Sequence, residues 1–301
     1  MFLLHAGEHS SPDFFTEIFL HGILDTLKII PFLFLTYLLM EFIEHRADGR
    51  LRSFIAGSGR LGPLVGGLLG AVPQCGFSSV AANLYTGRVV TMGTLIAVFL
   101  STSDEMLPIL ISGSFSAKAI IGILLYKVAV GMLVGFAVDL VLHLTKHRRQ
   151  EINIDELCEN DGCSCERGIL RSALHHTLSI SLFILLISWL MNALVFFVGE
   201  DALASVLYDK PVLSHIISAL VGLIPSCAVS VALTGFFADG FITLGTMLSG
   251  LFSGAGVGVL ILFRLNRHIK EILAIVAILV FSGFGFGLLA DAMGLGALLL
   301  G

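Results

Sequence analysis

Gly70-Ala-Val-Pro73-Gln74-Cys75-Gly-Phe-Ser78 lies inside a long apolar stretch and recurs 152 residues later as Gly222-Leu-Ile-Pro225-Ser-Cys227-Ala-Val-Ser230. The correspondence continues without a gap. Thr91, Gly93, Thr94 and Ser101 answer to Thr243, Gly245, Thr246 and Ser253. Proline inside a helix removes a backbone donor and collides with the preceding turn, so each copy marks an interruption. Two copies of a Pro-x-Cys-x-x-Ser break in apolar sequence describe two related halves built around a paired site.

The surrounding composition fixes the solvent. Of 301 residues, 56% are hydrophobic and only 13% charged, against about 25% charged in a soluble domain. Mean hydropathy is +0.97. Several apolar runs reach the roughly 20 residues that carry a helix across a bilayer. The chain therefore reads as a polytopic α-helical membrane protein. Its net charge of −5 says less than where Lys and Arg fall. Met1 to His9 has neither the basic start nor the small-residue cleavage site of a signal peptide, so the first apolar segment is expected to be its own insertion signal.

The only long hydrophilic stretch, 146–171, separates a first transmembrane repeat (1–145) from a second (172–301). It is read as a cytoplasmic, cysteine-containing linker. If every apolar segment crosses the membrane, Lys and Arg divide poorly between the two faces. If each Pro-x-Cys segment is a hairpin that enters and leaves on one side, the outcome changes. Arg46, Arg50, Arg52, Arg60, Arg88, the linker and Arg264 to Lys270 then share the cytoplasmic face, and only Lys118 and Lys210 lie outside. The positive-inside rule favours this second topology. Three full crossings plus one hairpin is an odd number of crossings per half, so the second half inserts upside down. The expected fold is all-α, with two inverted repeats, each of three full crossings and one Pro-broken re-entrant hairpin, about ten helical pieces in all. Both termini are expected outside a cell membrane.

Four sets of residues carry the chemistry. Cys75 and Cys227, at the two hairpin tips, suit thiophilic ions such as trivalent arsenic; the competing reading is a small residue at a tight break. Gln74, Ser78, Ser230, Thr94 and Thr246 either line the path of a substrate or re-satisfy backbone groups freed at the breaks. Asp104 and Glu105 stand together inside the apolar segment 89–112. Each acid costs about 2.5–3.5 kcal/mol at a helix centre on insertion scales, which calls for a cation ligand or a proton-coupling role. Lys127 in the next segment is their best partner, and an ion pair is the structural alternative. In the linker, Cys158, Cys163 and Cys165 read either as a metal-holding cluster or as part of a solvated loop.

On Pro73-Gln-Cys75-Gly-Phe-Ser78, Ser101-Thr-Ser-Asp104-Glu105 and the echo Pro225-Ser-Cys227, the chain resembles the family of ten-transmembrane heavy-metal exporters, described as arsenic efflux proteins or manganese transporters. The resemblance covers nearly the whole length. It implies a membrane exporter of a metal or metalloid.

No nucleotide-binding Gly-x-x-x-x-Gly-Lys-Ser/Thr motif is present, so proton or ion exchange is expected to drive transport. The expected function is secondary-active export of an arsenic- or manganese-like ion, with no tightly bound cofactor and no nucleic-acid partner. The lipid bilayer and the ion are its partners, and assembly into a homo-oligomer is left open. A soft metalloid would favour the cysteines, and a hard ion the acids, Gln74 and the hydroxyls. A small organic anion is the alternative cargo, received at helix N-termini. An intramembrane enzyme fits poorly, because neither His-Glu-x-x-His nor Gly-x-Ser-x-Gly occurs. A sensor lacks an output domain.

Overall fold

A computed structural model describes residues 61–72, 76–103, 106–113, 115–145, 211–266 and 268–300, with scattered helical positions between 23 and 38 and between 174 and 189. The described residues form helices and the turns that join them. In the first half these are α1 (Gly62–Gly70), α2 (Gly76–Thr86), α3 (Met92–Ser101), α4 (Met106–Ser112) and α5 (Ala117–Leu144). In the second they are α6 (Pro211–Gly222), α7 (Cys227–Ala238), α8 (Leu244–Ser253), α9 (Val257–Leu265), α10 (Ile269–Ala292) and the short α11 (Leu295–Leu300). Among the described residues, four stretches are long and apolar enough to cross a membrane: Met92–Ser112, Ala117–Leu144, Leu244–Leu265 and Ile269–Ala292.

The two halves repeat each other in hydrogen bonds as well as in sequence. At the turn after α2, Gly87 and Arg88 donate backbone N–H to Asn83 and Tyr85, and Val89 donates to Leu84. After α7, Asp239, Gly240 and Phe241 donate to Gly235, Phe237 and Phe236 in the same pattern. Arg88 and Gly240 hold the same left-handed backbone, φ 57° and 78°. Only glycine adopts that conformation without strain, so Arg88 is the costly member of the pair. Thr91 and Thr243 cap α3 and α8, each accepting the N–H of the threonine three residues on.

Neighbouring residues fix the course of the chain. Gly62 lies against Thr94, Gly66 against Thr94 and Val98, and Gly70 against Val98 and Ser101. Thus α1 and α3 run side by side in the same direction, and α2 returns the chain between them. In the second half, Ser218 donates to the Thr246 carbonyl, and Gly222 lies against Gly250, so α6 and α8 also run together. In both halves the following long helix runs antiparallel. Gly131 and Gly135 of α5 meet Ala97 and Gly93, while Gly283 and Gly287 of α10 meet Ser249 and Gly245.

One sequence expectation changes. The apolar segments 89–112 and 241–263 read as continuous helices, yet both are interrupted. Thr102 and Ser103 are non-helical between α3 and α4, and Gly254 to Gly256 between α8 and α9. Among the described residues, each half therefore has two interruptions, one at the Pro-x-Cys segment and one a helix later. Irregular backbone at membrane depth is tolerated where protein surrounds it, and burial agrees. The most apolar window of Leu244–Leu265 is 83% buried, that of the unbroken Ile269–Ala292 only 28%. Broken helices form the centre, and straight helices form the wall.

Candidate functional site

The interruptions converge. At the end of α3, the last turn folds its own hydroxyls onto freed carbonyls: Ser101 Oγ donates to Ala97 O and Thr102 Oγ1 to Val98 O, both at 2.7 Å. Ser103 Oγ donates to the Ala71 carbonyl at the end of α1, at 3.0 Å. Lys127 of α5 is fully buried. Its ammonium donates to the Thr102 carbonyl and sits over the Phe252 ring, 5.7 Å from the centroid. A cation is favoured at a helix C-terminus, where unpaired carbonyls gather. Lys127 thus serves the end of α3 and touches the end of α8 in the other half.

The starts of the following helices approach the same place. Ser78 of α2 is buried, and its carbonyl lies beside Gly258 of α9, next to Phe99 of α3. In the second half, Pro225 has no N–H, and the chain turns through Ile224 and Ser226 before α7 begins at Cys227. Ser230 is half-buried in α7, and its carbonyl accepts Thr234 Oγ1 at 2.7 Å. The arrangement offers helix C-termini, which attract cations, beside helix N-termini, which attract anions.

A second cluster lies at the start of each middle helix. Asp139 of α5 accepts from Thr91 Oγ1 at 2.7 Å and from the Gly93 N–H at 3.0 Å. Asp291 of α10 accepts from Thr243 Oγ1 and from the Gly245 N–H. Each carboxylate satisfies donors at a helix N-terminus. Thr94 and Thr246 belong here, bonded through their hydroxyls to Thr91 and Thr243 at 2.7 and 2.9 Å. Thr94 lies eight residues before Thr102, about 12 Å along the helix. The structure therefore places both threonines in capping networks rather than beside the central interruptions. In the second half His215 joins the cluster, with Nδ1 2.9 Å from Ser249 Oγ and Nε2 3.3 Å from Asp291 Oδ2.

At the turn after α2 the halves are tied together. Arg88 donates through both terminal nitrogens to the Glu271 carboxylate of α10, at 3.1 and 3.3 Å. Tyr85 and Asn266 donate to the same carboxylate, and Arg88 lies over the Tyr85 ring. Burial alone would lower the pKa of the Arg88 guanidinium. The hydrogen bonds and charge of Glu271 outweigh burial and hold it above its ordinary value.

Of the residues singled out in the sequence, Gln74, Cys75, Asp104, Glu105, Cys158, Cys163 and Cys165 lie outside the described residues, as does the side chain of Cys227. The described neighbours Ala71, Thr102, Ser103 and Lys127 do come together, and Ser78 lies beside Gly258 and Phe99. Sequence reasoning passed over Asp291 and His215. The 152-residue shift that pairs Thr91 with Thr243 also pairs Asp139 with Asp291, and that signal would have found the carboxylate. His215 answers to Pro63 and has no counterpart to reveal it.

No curated protein and no solved structure matches the chain. A family model described as "Putative, 10TM heavy-metal exporter" matches residues 15–201, a span that includes the first Pro-x-Cys segment, the interruption at Thr102 and Lys127. The chain belongs to this family of ten-transmembrane heavy-metal exporters.

Proposed function

We propose that the protein is a secondary-active exporter of a metal or metalloid ion, arsenic- or manganese-like, in the cell membrane. The observation that carries this is the meeting of the interruptions beside the buried Lys127, within a helical membrane protein of the exporter family. Interrupted helices supply transporters with backbone and side-chain ligands near the midplane. The cargo is held between Gln74, Cys75 and Ser78 on one side and Cys227 and Ser230 on the other. Asp104 and Glu105 follow Ser103 directly; they supply charge for the ion and, with Lys127, take part in coupling. Soft ions use the thiols and hard ions the carboxylates. The linker thiols Cys158, Cys163 and Cys165 are a further place for the ion.

The two repeats are inverted in this reading, with re-entrant hairpins at α1–α2 and α6–α7. Two observations support it. The parallel course of α1 and α3 requires α2 to return to the side from which α1 set out. The start of α3 lies near Arg88, whose partner Glu271 is at the first turn of α10, whereas the start of α8 is bonded to Asp291 at the far end of that helix. The middle helices then run in opposite senses, with Arg88 on the cytoplasmic face and both chain termini outside.

The test is transport into proteoliposomes with arsenite, manganese or zinc, alongside a proton-sensitive dye. Wild-type protein is expected to move at least one of these ions, and the Asp104→Asn/Glu105→Gln variant to lose that flux. Cys75→Ser/Cys227→Ser loses it if the ion is soft. Wild-type vesicles that move none of the three under any imposed gradient would sink the exporter reading. The buried ammonium of Lys127 supports a second cargo class, a small organic anion. Uptake of a carboxylate substrate abolished in Lys127→Met, with no metal flux in wild type, would decide for it.

A further inference from the structure

We propose that His215 and Asp291 form a proton-binding site in the second half, separate from the acidic pair at Asp104 and Glu105, and that it carries the proton that drives export. The coupling role rests on the exporter reading; the proton site does not.

The carboxylate alone has a structural explanation. Asp291 and Asp139 do the same work at the N-termini of α8 and α3, accepting one threonine hydroxyl and one glycine N–H each. Nothing in that shared arrangement requires a histidine. The first half places Pro63 where the second has His215, and Ala97 where the second has Ser249. The second half has therefore added an imidazole and a hydroxyl together, and they bond to each other at 2.9 Å.

The geometry suits a proton that comes and goes. His215 is buried, at 4% exposure, with Nε2 3.3 Å from Asp291 Oδ2. A serine hydroxyl both donates and accepts. With a neutral imidazole, Nε2–H donates to Asp291, and Ser249 donates to Nδ1. With an imidazolium, both ring N–H groups donate, and Ser249 turns its own proton to the Gly245 carbonyl, 2.9 Å away. Both states are fully hydrogen-bonded with the heavy atoms unmoved. Uptake of a proton requires only rotation of one hydroxyl.

Among the described residues, the charged group nearest in the chain to this end of α8 is Asp239, in the turn after α7. Beyond His215 itself, α6 and α8 contribute no charged side chain, α11 none, and α7 only the thiol of Cys227 at its start. Lys270 and Glu271 of α10 are at the other end of that helix, about 30 Å from Asp291 at the helical rise. The donors at the start of α8 already satisfy the Asp291 carboxylate, and a proton on its histidine partner neutralises the pair. The Asp291 side chain remains 28% exposed, near the C-terminal end of α10, so the buried imidazole exchanges through its less buried partner.

The full chain, reconstituted in bilayers, is examined by infrared difference spectroscopy between about pH 5 and pH 9, the range in which histidine changes charge. A histidine signal lost in His215→Gln and displaced in Asp291→Asn is expected. Asp139→Asn, which removes the equivalent cap without a histidine, is expected to leave that signal in place. A His215 signal that is missing in wild type, or unmoved by Asp291→Asn, overturns the proton site. In vesicles loaded with manganese or arsenite, His215→Gln is expected to lose proton counter-flow while metal still runs down its gradient. A wild-type ratio of protons to metal in that variant overturns the coupling role. If wild-type vesicles move no metal, the exporter reading falls, and the infrared signal alone decides the pair.

Discussion

Lys127 shows why a buried charge survives in an apolar helix. Its ammonium serves the carbonyl of Thr102, where α3 stops, and lies on the ring of Phe252. Replacing it with methionine removes a costly buried charge but leaves a carbonyl without that donor. The second effect costs about 1–3 kcal/mol, and relief of the first offsets part of it. Lys127→Met is therefore expected to remain folded, with thermal unfolding close to wild type, while metal flux in vesicles is lost. A variant that is strongly destabilised yet transports normally per folded molecule would reduce Lys127 to a structural peg. His215 is the opposite case at this scale. Its sequence neighbours are ordinary, and its meaning comes from Ser249 and Asp291, 34 and 76 residues away.

At the scale of elements, the close approach of α6 and α8 sets how the interruptions meet. A methyl group at Gly222 would strike the backbone carbonyl of Gly250, which cannot swing aside as a side chain would. Gly222→Ala is expected to force the helices apart and to destabilise by about 1–3 kcal/mol, as overpacking does. Gly235 in α7 has open space where its methyl would stand. Gly235→Ala is expected to be neutral or stabilising by up to about 1 kcal/mol, the helix-propensity gain over glycine. Thermal unfolding of the two variants in one detergent compares them. Equal effects would show that the α6–α8 contact does not set the packing.

For the whole molecule, the reciprocal ties between halves matter most. Helix α2 packs on α9 and α4 on α7, so each half lends its second helix to the fourth of the other. Arg88 and Glu271 tie the turn between α2 and α3 of one repeat to the last long helix of the other. In a background without other cysteines, Arg88→Cys is expected to react with an impermeant thiol reagent from the cytoplasmic face. Asp239→Cys, beside Gly240, the counterpart of Arg88 152 residues later, is expected to react from the outer face. Labelling of both from one face would show that the repeats are not inverted.

The membrane, the repeat and the first interruption were legible in the amino-acid order, because apolar length, sequence repetition and proline act locally or along the chain. Pro73 and Pro225 announce a break to anyone who knows that proline cannot donate. The second interruption was not legible at Thr102 or Gly254, because a short unwound turn leaves hydropathy unchanged. Nor was the role of Thr94 and Thr246. A hydroxyl beside a glycine looks the same in a capping network as in a substrate path, and only the carboxylate arriving from α5 or α10 separates the two. Sequence by itself determined that this is a duplicated helical membrane protein with paired Pro-x-Cys breaks. The tertiary structure decided which of its polar groups meet: Lys127 with the ends of two middle helices, and His215 with Asp291. The physical reason is that a polar group in an apolar interior must find its partner in space, wherever along the chain that partner lies.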